Sequence, residues 1–104
     1  NGGGPGATVY AAAKAAVSAM TKGLARELAP HAIRVNAISP GTVDNDFHRQ
    51  FSTREMLDRV VAATPLGRLA TNDDIADVVV FLCSNASRYI IGQTIEINGG
   101  MLMV

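Results

Sequence analysis

The sequence predicts an α/β fold built on a parallel sheet, in the order helix, strand, helix, helix, strand. Three observations lead there. An alanine-rich run from Val9 to Leu28 has helical periodicity. Two short β-type runs, Ile33–Ser39 and Thr94–Asn98, are each closed by a glycine-containing turn. The residues between them carry two more helical patterns, and a helical crossover of that kind joins parallel strands rather than hairpin partners.

Each element has a local reason. Residues 1–7 (NGGGPGA) read as loop, and Thr8 is placed to cap the helix that follows. Seven alanines between Ala11 and Ala25 favour helix. Val17, Met20, Leu24 and Leu28 fall at helical spacing and form the expected apolar stripe. Ala12, Ala13, Ala16, Ala19 and Gly23 are small enough to admit a second helix. Close packing is the expected reason for Gly23, since glycine costs about 1 kcal/mol in a helix interior. Pro30 stops the helix. In Ile33–Ser39, Ile33, Val35 and Ala37 face one way, Arg34, Asn36 and Ile38 the other, and Pro40-Gly41 ends the strand. Residues 42–51 read as loop.

A short helix over 53–63 carries Met56, Leu57, Val60 and Val61 on one face, and Thr64-Pro65-Leu66-Gly67 breaks it. Asn72 is expected to cap the next helix, with Asp73 and Asp74 favouring its positive end. Ile75, Val78, Val79 and Leu82 form its apolar face, and Cys83 reads as a small buried residue at its end. Residues 84–92 read as loop, and Thr94–Asn98 as the last strand, closed by Gly99-Gly100.

Composition narrows the function classes. The chain is 48% hydrophobic, enough for a packed core. A net charge of zero argues against a nucleic-acid backbone binder, and 5% aromatic residues are too few for a base-stacking platform. A single cysteine makes no disulfide framework, and a reducing, cytoplasmic location is expected. No apolar stretch reaches the roughly 20 residues of a membrane helix. His31 and His48 have no metal-ligand spacing, so no metal site is expected. His31 is expected in a surface turn, and His48 is a lesser candidate for touching substrate.

Tyr10 and Lys14 stand four apart on the first helix and therefore share a face. An ordinary phenol is a poor proton carrier near neutrality. An ammonium held beside a phenol favours the phenolate and makes it usable as a general acid or base. On its own this spacing also describes a solvated helix face.

The surroundings add to the pair. Tyr10-Ala11-Ala12-Ala13-Lys14-Ala15-Ala16, Leu24-Ala25-Arg26-Glu27-Leu28-Ala29 and Ile33-Arg34-Val35-Asn36-Ala37-Ile38-Ser39-Pro40-Gly41 follow one another in order. Pro65-Leu66-Gly67-Arg68 and the closing Gly92-Gln93-Thr94-Ile95-Glu96-Ile97-Asn98-Gly99-Gly100 complete the series. Over essentially all 104 residues the chain resembles the second half of short-chain dehydrogenases/reductases, 3-oxoacyl-carrier-protein reductases among them. The resemblance implies the C-terminal part of a doubly wound parallel-sheet (Rossmann-like) fold, with residues 1–104 as the C-terminal half of one domain. The N-terminal cofactor-binding half would lie outside this chain.

It also implies roles. Tyr10 would be the general acid/base of an NAD- or NADP-dependent exchange of hydride between an alcohol and a ketone. Lys14 would hold the nicotinamide ribose and tune Tyr10. Pro40 and Gly41 would end a strand at the cofactor, the backbone of Val43 would contact the nicotinamide carboxamide, and residues 44–64 would cover the substrate. Asn45 stands where the family usually has a threonine that helps hold the cofactor. An amide still donates and accepts hydrogen bonds. Ile91 replaces a common threonine, and Ala32 stands where glycine is frequent. A homo-oligomer, dimer or tetramer, is implied through the first helix.

The family's active-site serine, proton-relay asparagine and phosphate loop are not in these residues, so the 104-residue chain alone is expected to be inactive. The alternative reading is a non-catalytic fragment with a structural or oligomerisation role. Gly2-x-Gly4-x-x-Ala7 mimics a dinucleotide fingerprint, but no strand precedes it and Pro5 interrupts it, so it reads as loop.

Overall fold

A computed structural model describes residues 7–44 and 53–103. The elements are α1 (Ala7–Leu28), β1 (Ala37–Pro40), α2 (Arg54–Ala63), α3 (Asn72–Leu82) and β2 (Thr94–Ile97), with short 3-10 turns at Ala29–His31 and Asn85–Ser87. Among the described residues the predicted order of helices and strands is the observed one. Two compact units are distinguished. The first holds the described residues up to Ala37 together with Arg88–Thr94, and the second holds Ile38–Ser87 with the described residues from Ile95 onward.

β1 and β2 pair directly. Gly92 N–H donates to the Val35 carbonyl, Ala37 N–H to that of Gln93, and Gly41 N–H to that of Ile97, at 2.8–2.9 Å. Both chains advance in the same sense, so the pairing is parallel. The odd-numbered residues of 35–41 turn their peptide groups toward β2. Pro40, which lacks an N–H, falls on the opposite edge and costs this pairing nothing.

β1 is shorter than the expected Ile33–Ser39 strand, beginning only at Ala37. Ahead of it the Gly92 N–H to Val35 carbonyl bond persists, and a side chain makes the contacts beside it. Asn36 donates through Nδ2 to the Ile90 carbonyl at 3.0 Å and accepts from Gln93 N–H at 3.1 Å. Neither face of the strand is fully covered, and Ile33 is exposed.

In the first unit, α1 is held by a face that shares only Leu28 with the stripe its apolar spacing suggests. Ser18, Thr21, Ala25 and Leu28 are its buried or half-buried positions, while Val17, Met20 and Leu24 are 49%, 58% and 36% exposed. Small residues explain the choice, because they let the backbone of the Arg88–Thr94 segment come close. A Cβ added to Gly92 would lie 3.5 Å from Ala25 Cβ and 3.9 Å from Lys22 Cα. Ser18 Oγ lies 3.3 Å from Thr94 Oγ1, and Thr21 Oγ1 donates back to the Val17 carbonyl at 2.7 Å. Among the described residues the flank at Gly23 is open, with no atom beyond the helix's own neighbouring backbone within 4 Å of where its Cβ would be. Among the described residues, close packing therefore does not account for that glycine. Thr8 lies inside the helix instead of capping it, because the helix already includes Ala7.

Pro30 does end α1, through the 3-10 turn that carries exposed His31. Ala32 then adopts φ +59°, the left-handed conformation that favours glycine, and its N–H closes onto the Ala29 carbonyl.

In the second unit, Thr53 caps α2 by accepting from Met56 N–H, and Leu57, Val60 and Val61 are its half-covered positions. Thr71, and not Asn72, caps α3. Its hydroxyl accepts from Asp74 N–H while the Asp74 carboxylate accepts from Thr71 N–H, a reciprocal capping box. Ile75, Val78 and Leu82 of the expected apolar face are partly covered, and Val79 remains exposed. Cys83, expected in the interior, is exposed at the helix end. The carbonyls there are met by buried Ser87, whose Oγ lies 2.8, 3.0 and 3.1 Å from those of Phe81, Leu82 and Ser84.

Candidate functional site

The site residues expected from sequence fall into both units. Tyr10, Lys14 and the helix that carries them belong to the first. Pro40, Gly41 and Val43 belong to the second. Asn45 and His48 lie outside the described residues.

On α1 the four-residue spacing places Tyr10 and Lys14 on one face, one turn apart. The Lys14 ammonium sits over the Tyr10 ring, 5.4 Å from its centroid. An ammonium in that position is drawn to the electron-rich ring face, an attraction of about 0.5–1 kcal/mol at an exposed site. Tyr10 is 64% exposed, so its hydroxyl is accessible for proton exchange.

The second unit contributes backbone geometry. Gly41 packs where a Cβ would stand 3.1 Å from both Cα and Cβ of Asn98. Glycine lets β1 end close against the turn after β2. Gly99 makes that turn at φ +63°, and a Cβ there would fall 2.8 Å from Thr64 Cγ2. Asn98 closes the turn by accepting from Gly100 N–H and donating to the Leu102 carbonyl, both at 3.1 Å. The segment after Gly41 then meets the residues before α3. Ala70 N–H donates to the Thr42 carbonyl at 3.2 Å, and Asp44 N–H donates to the Ala70 carbonyl at 2.8 Å, an isolated parallel bridge between Val43 and Ala70. In such a bridge the residues flanking Val43 make the bonds. The N–H and C=O of Val43 itself point to the edge away from Ala70.

Arg68, in the Pro65-Leu66-Gly67-Arg68 motif, and Asp74, expected only at the start of α3, hold the residues around Ala70, a role not assigned from sequence. Arg68 Nη1 and Nη2 donate to Asp74 Oδ2 and Oδ1 at 2.6 and 3.3 Å, and Nη1 also donates to the Leu69 carbonyl at 3.1 Å. The hydrogen bond from Arg68, followed by that from Thr71 N–H, holds the Asp74 carboxyl well below the usual carboxylate range, and the same bond raises Arg68. The signal was present as Thr71-x-x-Asp74, the spacing of a capping box. A cleft of about 180 Å³ lies in this unit, with Gly41, Thr42, Thr64, Leu66, Ala70 and Asn98 among its walls. Among the described residues no cluster of His, Cys, Asp or Glu could hold a metal, and no helix is long and apolar enough to cross a membrane.

Comparison with known proteins accounts for this arrangement. Residues 1–102 match a family profile described as enoyl-(acyl carrier protein) reductase. The chain is 44% identical over 101 residues to the 3-oxoacyl-[acyl-carrier-protein] reductase FabG of Pseudomonas aeruginosa, covering 97% of this chain and 40% of that protein. It is 45% identical over 93 residues to protein FixR of Bradyrhizobium diazoefficiens, covering 89% of this chain and 32% of that one. Among solved structures, a 3-oxoacyl-[acyl-carrier protein] reductase from Brucella melitensis superposes with a TM-score of 0.86 at 39% identity, over 91% of this chain and 35% of the other. Another Brucella melitensis reductase, with bound NAD, gives a TM-score of 0.81 at 39% identity, over 91% of this chain and 34% of the other. The chain thus spans about two fifths or less of the length of these relatives. With a family profile matched over residues 1–102 and solved relatives superposing over 91% of it, the chain belongs to the short-chain dehydrogenase/reductase family.

Proposed function

We propose that residues 1–104 are the C-terminal half of a single catalytic domain that interconverts an alcohol and a ketone with NAD or NADP. The observation that carries this reading is the exposed Tyr10–Lys14 pair on one helix face, in a chain of this family. In the reductive direction the Tyr10 hydroxyl gives its proton to the carbonyl oxygen of the substrate. In the oxidative direction the phenolate takes the proton from the alcohol. Lys14 keeps a positive charge beside the phenol and holds the ribose of the dinucleotide. The outward N–H and C=O of Val43 match the amide they would face, since a carboxamide both accepts and donates. Pro40 and Gly41 set the end of β1 from which that backbone departs. Asn45 would add a side-chain contact. Bound at these groups, a nicotinamide ring supplies or accepts the hydride.

A 3-oxoacyl thioester is the substrate class favoured by the relatives' names. The matching profile is described by a different reduction, so the ketones that correspond to simple secondary alcohols stay in the test panel beside the 3-oxoacyl thioesters. We also propose self-association through α1. Its exposed Val17, Met20 and Leu24, with an open flank at Gly23, form an apolar surface that a twin helix would cover. The same surface is what supports the second reading, a structural rather than catalytic role.

The test is an assay of the protein with the half that precedes these residues in its relatives, using NADH and NADPH against a panel of 3-oxoacyl thioesters and simple ketones. Turnover of one of them, with no turnover by the 104-residue chain alone, is expected. A complete protein that binds dinucleotide and reduces none of them would leave the structural reading in its place.

A further inference from the structure

We propose that Arg68 is a positioning residue for cofactor binding, acting on the Val43 backbone through Ala70. This rests on the proposed role of Val43. A peptide group can meet a ligand amide only if its direction is fixed before binding, since ordering it on binding weakens affinity. Val43 has no side-chain means of fixing its own direction. Its orientation is imposed by the two bonds that Ala70 makes to either side of it, at Thr42 and Asp44. Ala70 can impose that orientation only if its own peptide groups are held.

They are held from both ends by one side-chain assembly. On the N-terminal side, Arg68 Nη1 donates to the Leu69 carbonyl, fixing the peptide that leads into Ala70. On the C-terminal side, Thr71 N–H donates to Asp74 Oδ2, fixing the peptide that leaves Ala70. Arg68 joins the two ends because its fork also grips both oxygens of Asp74. The α3 cap thus does more than start a helix. It sets the register of residues 69–71, and those set the direction of Val43. The geometry of Arg68 matters beyond its charge. A planar guanidinium reaches a carboxylate and a carbonyl together, whereas an ammonium offers a single point of donation.

Amide hydrogen exchange and dinucleotide affinity, measured on the full-length protein for wild type, Arg68→Met and Arg68→Lys, test this. In Arg68→Met, exchange at the Asp44 and Ala70 amides should accelerate about 10-fold while α1 amides are unchanged. The dinucleotide dissociation constant should rise about 10-fold, the scale on which outer partners of a binding group act. The turnover number at saturating cofactor should stay within about 2-fold, because no proton-transferring group is touched. Arg68→Lys should fall between, keeping the charge and losing the second grip. Unchanged exchange at Asp44 and Ala70 overturns the positioning role, whether or not the protein is an enzyme. Faster exchange with unaltered affinity overturns the link to the cofactor. If wild type binds no dinucleotide, the reading of Val43 fails, and exchange still reports on Arg68 separately. If Arg68→Met does not fold, Arg68→Lys is judged by the same criteria.

Discussion

Tyr10 and Lys14 on α1 and the Pro40–Asp44 segment of the second unit would serve the same reaction, but they are built in opposite ways. The first is a pair of side chains whose chemistry is their identity. It needs only a helix to bring them together, and α1 supplies one with an ammonium over the ring. The second is almost entirely backbone. Gly41, Val43, Ala70 and Gly99 contribute through where their peptide groups point and how closely they approach. Substitutions in the first place should remove chemistry and leave the fold. Substitutions in the second should disturb folding and cofactor affinity together and leave the proton transfer alone.

Lys14→Met is expected to have the largest effect among the predictions that separate the two. In the complete enzyme it should lower kcat/KM by about 100-fold or more, through both cofactor affinity and turnover, while the Tm changes little because the side chain is exposed. Steady-state kinetics with cofactor titration reads both effects. A loss in stability without a loss in activity would place Lys14 with the scaffold instead.

Gly99→Ala attacks the backbone half. The left-handed φ and the 2.8 Å approach to Thr64 Cγ2 leave no room for a methyl group. The expected destabilisation is about 2–3 kcal/mol, the sum of the conformational penalty and overpacking. Denaturant melts check it, and a neutral substitution would mean that the turn after β2 accommodates a side chain against Thr64.

Ala32→Gly probes stability away from either half. Ala32 holds φ +59° at the turn after α1. Glycine removes the steric penalty but increases the freedom of the unfolded chain, for a net gain of about 0.5 kcal/mol. Thermal melting should show the gain with kinetics unchanged. A drop in Tm would show that the left-handed turn is not the conformation adopted.

Asp74 gives a smaller effect, since both partners of its ion pair are partly exposed. Its folded-state value lies below its unfolded one. The stabilisation is therefore present above the ordinary carboxylate value of about 3.9, and it is lost as pH falls below that value toward the folded one. Asp74→Asn should flatten that part of the acid-unfolding profile. An unchanged profile would mean that the Arg68 pair contributes nothing measurable.

The same contrast explains what was legible in the sequence. The order of elements, the Pro30 stop, the extent of α2 and the pairing of Tyr10 with Lys14 follow from local rules, and the sequence anticipates them. Where a distant partner decides, it does not. The apolar spacing of Val17, Met20 and Leu24 marks a face of α1, but the small residues Ser18, Thr21 and Ala25 are what the Arg88–Thr94 segment can approach. The strand begins at Ala37 and not Ile33 because Asn36 bonds to Ile90 and Gln93, far along the chain. Cys83 looks buried by type and is exposed by position. Ala70 has no side-chain chemistry that announces it, and the partners of Arg68, the Leu69 carbonyl and Asp74, are set by the folded turn before α3.

Tyr10→Phe in the complete enzyme separates a proton carried by Tyr10 from a cofactor held by Lys14 and the backbone of the Pro40–Asp44 segment. The expected result is a fall in kcat of about 100- to 10,000-fold, the range of general acid–base catalysis, with dinucleotide affinity within about 2-fold of wild type. Near wild-type turnover in Tyr10→Phe would contradict it.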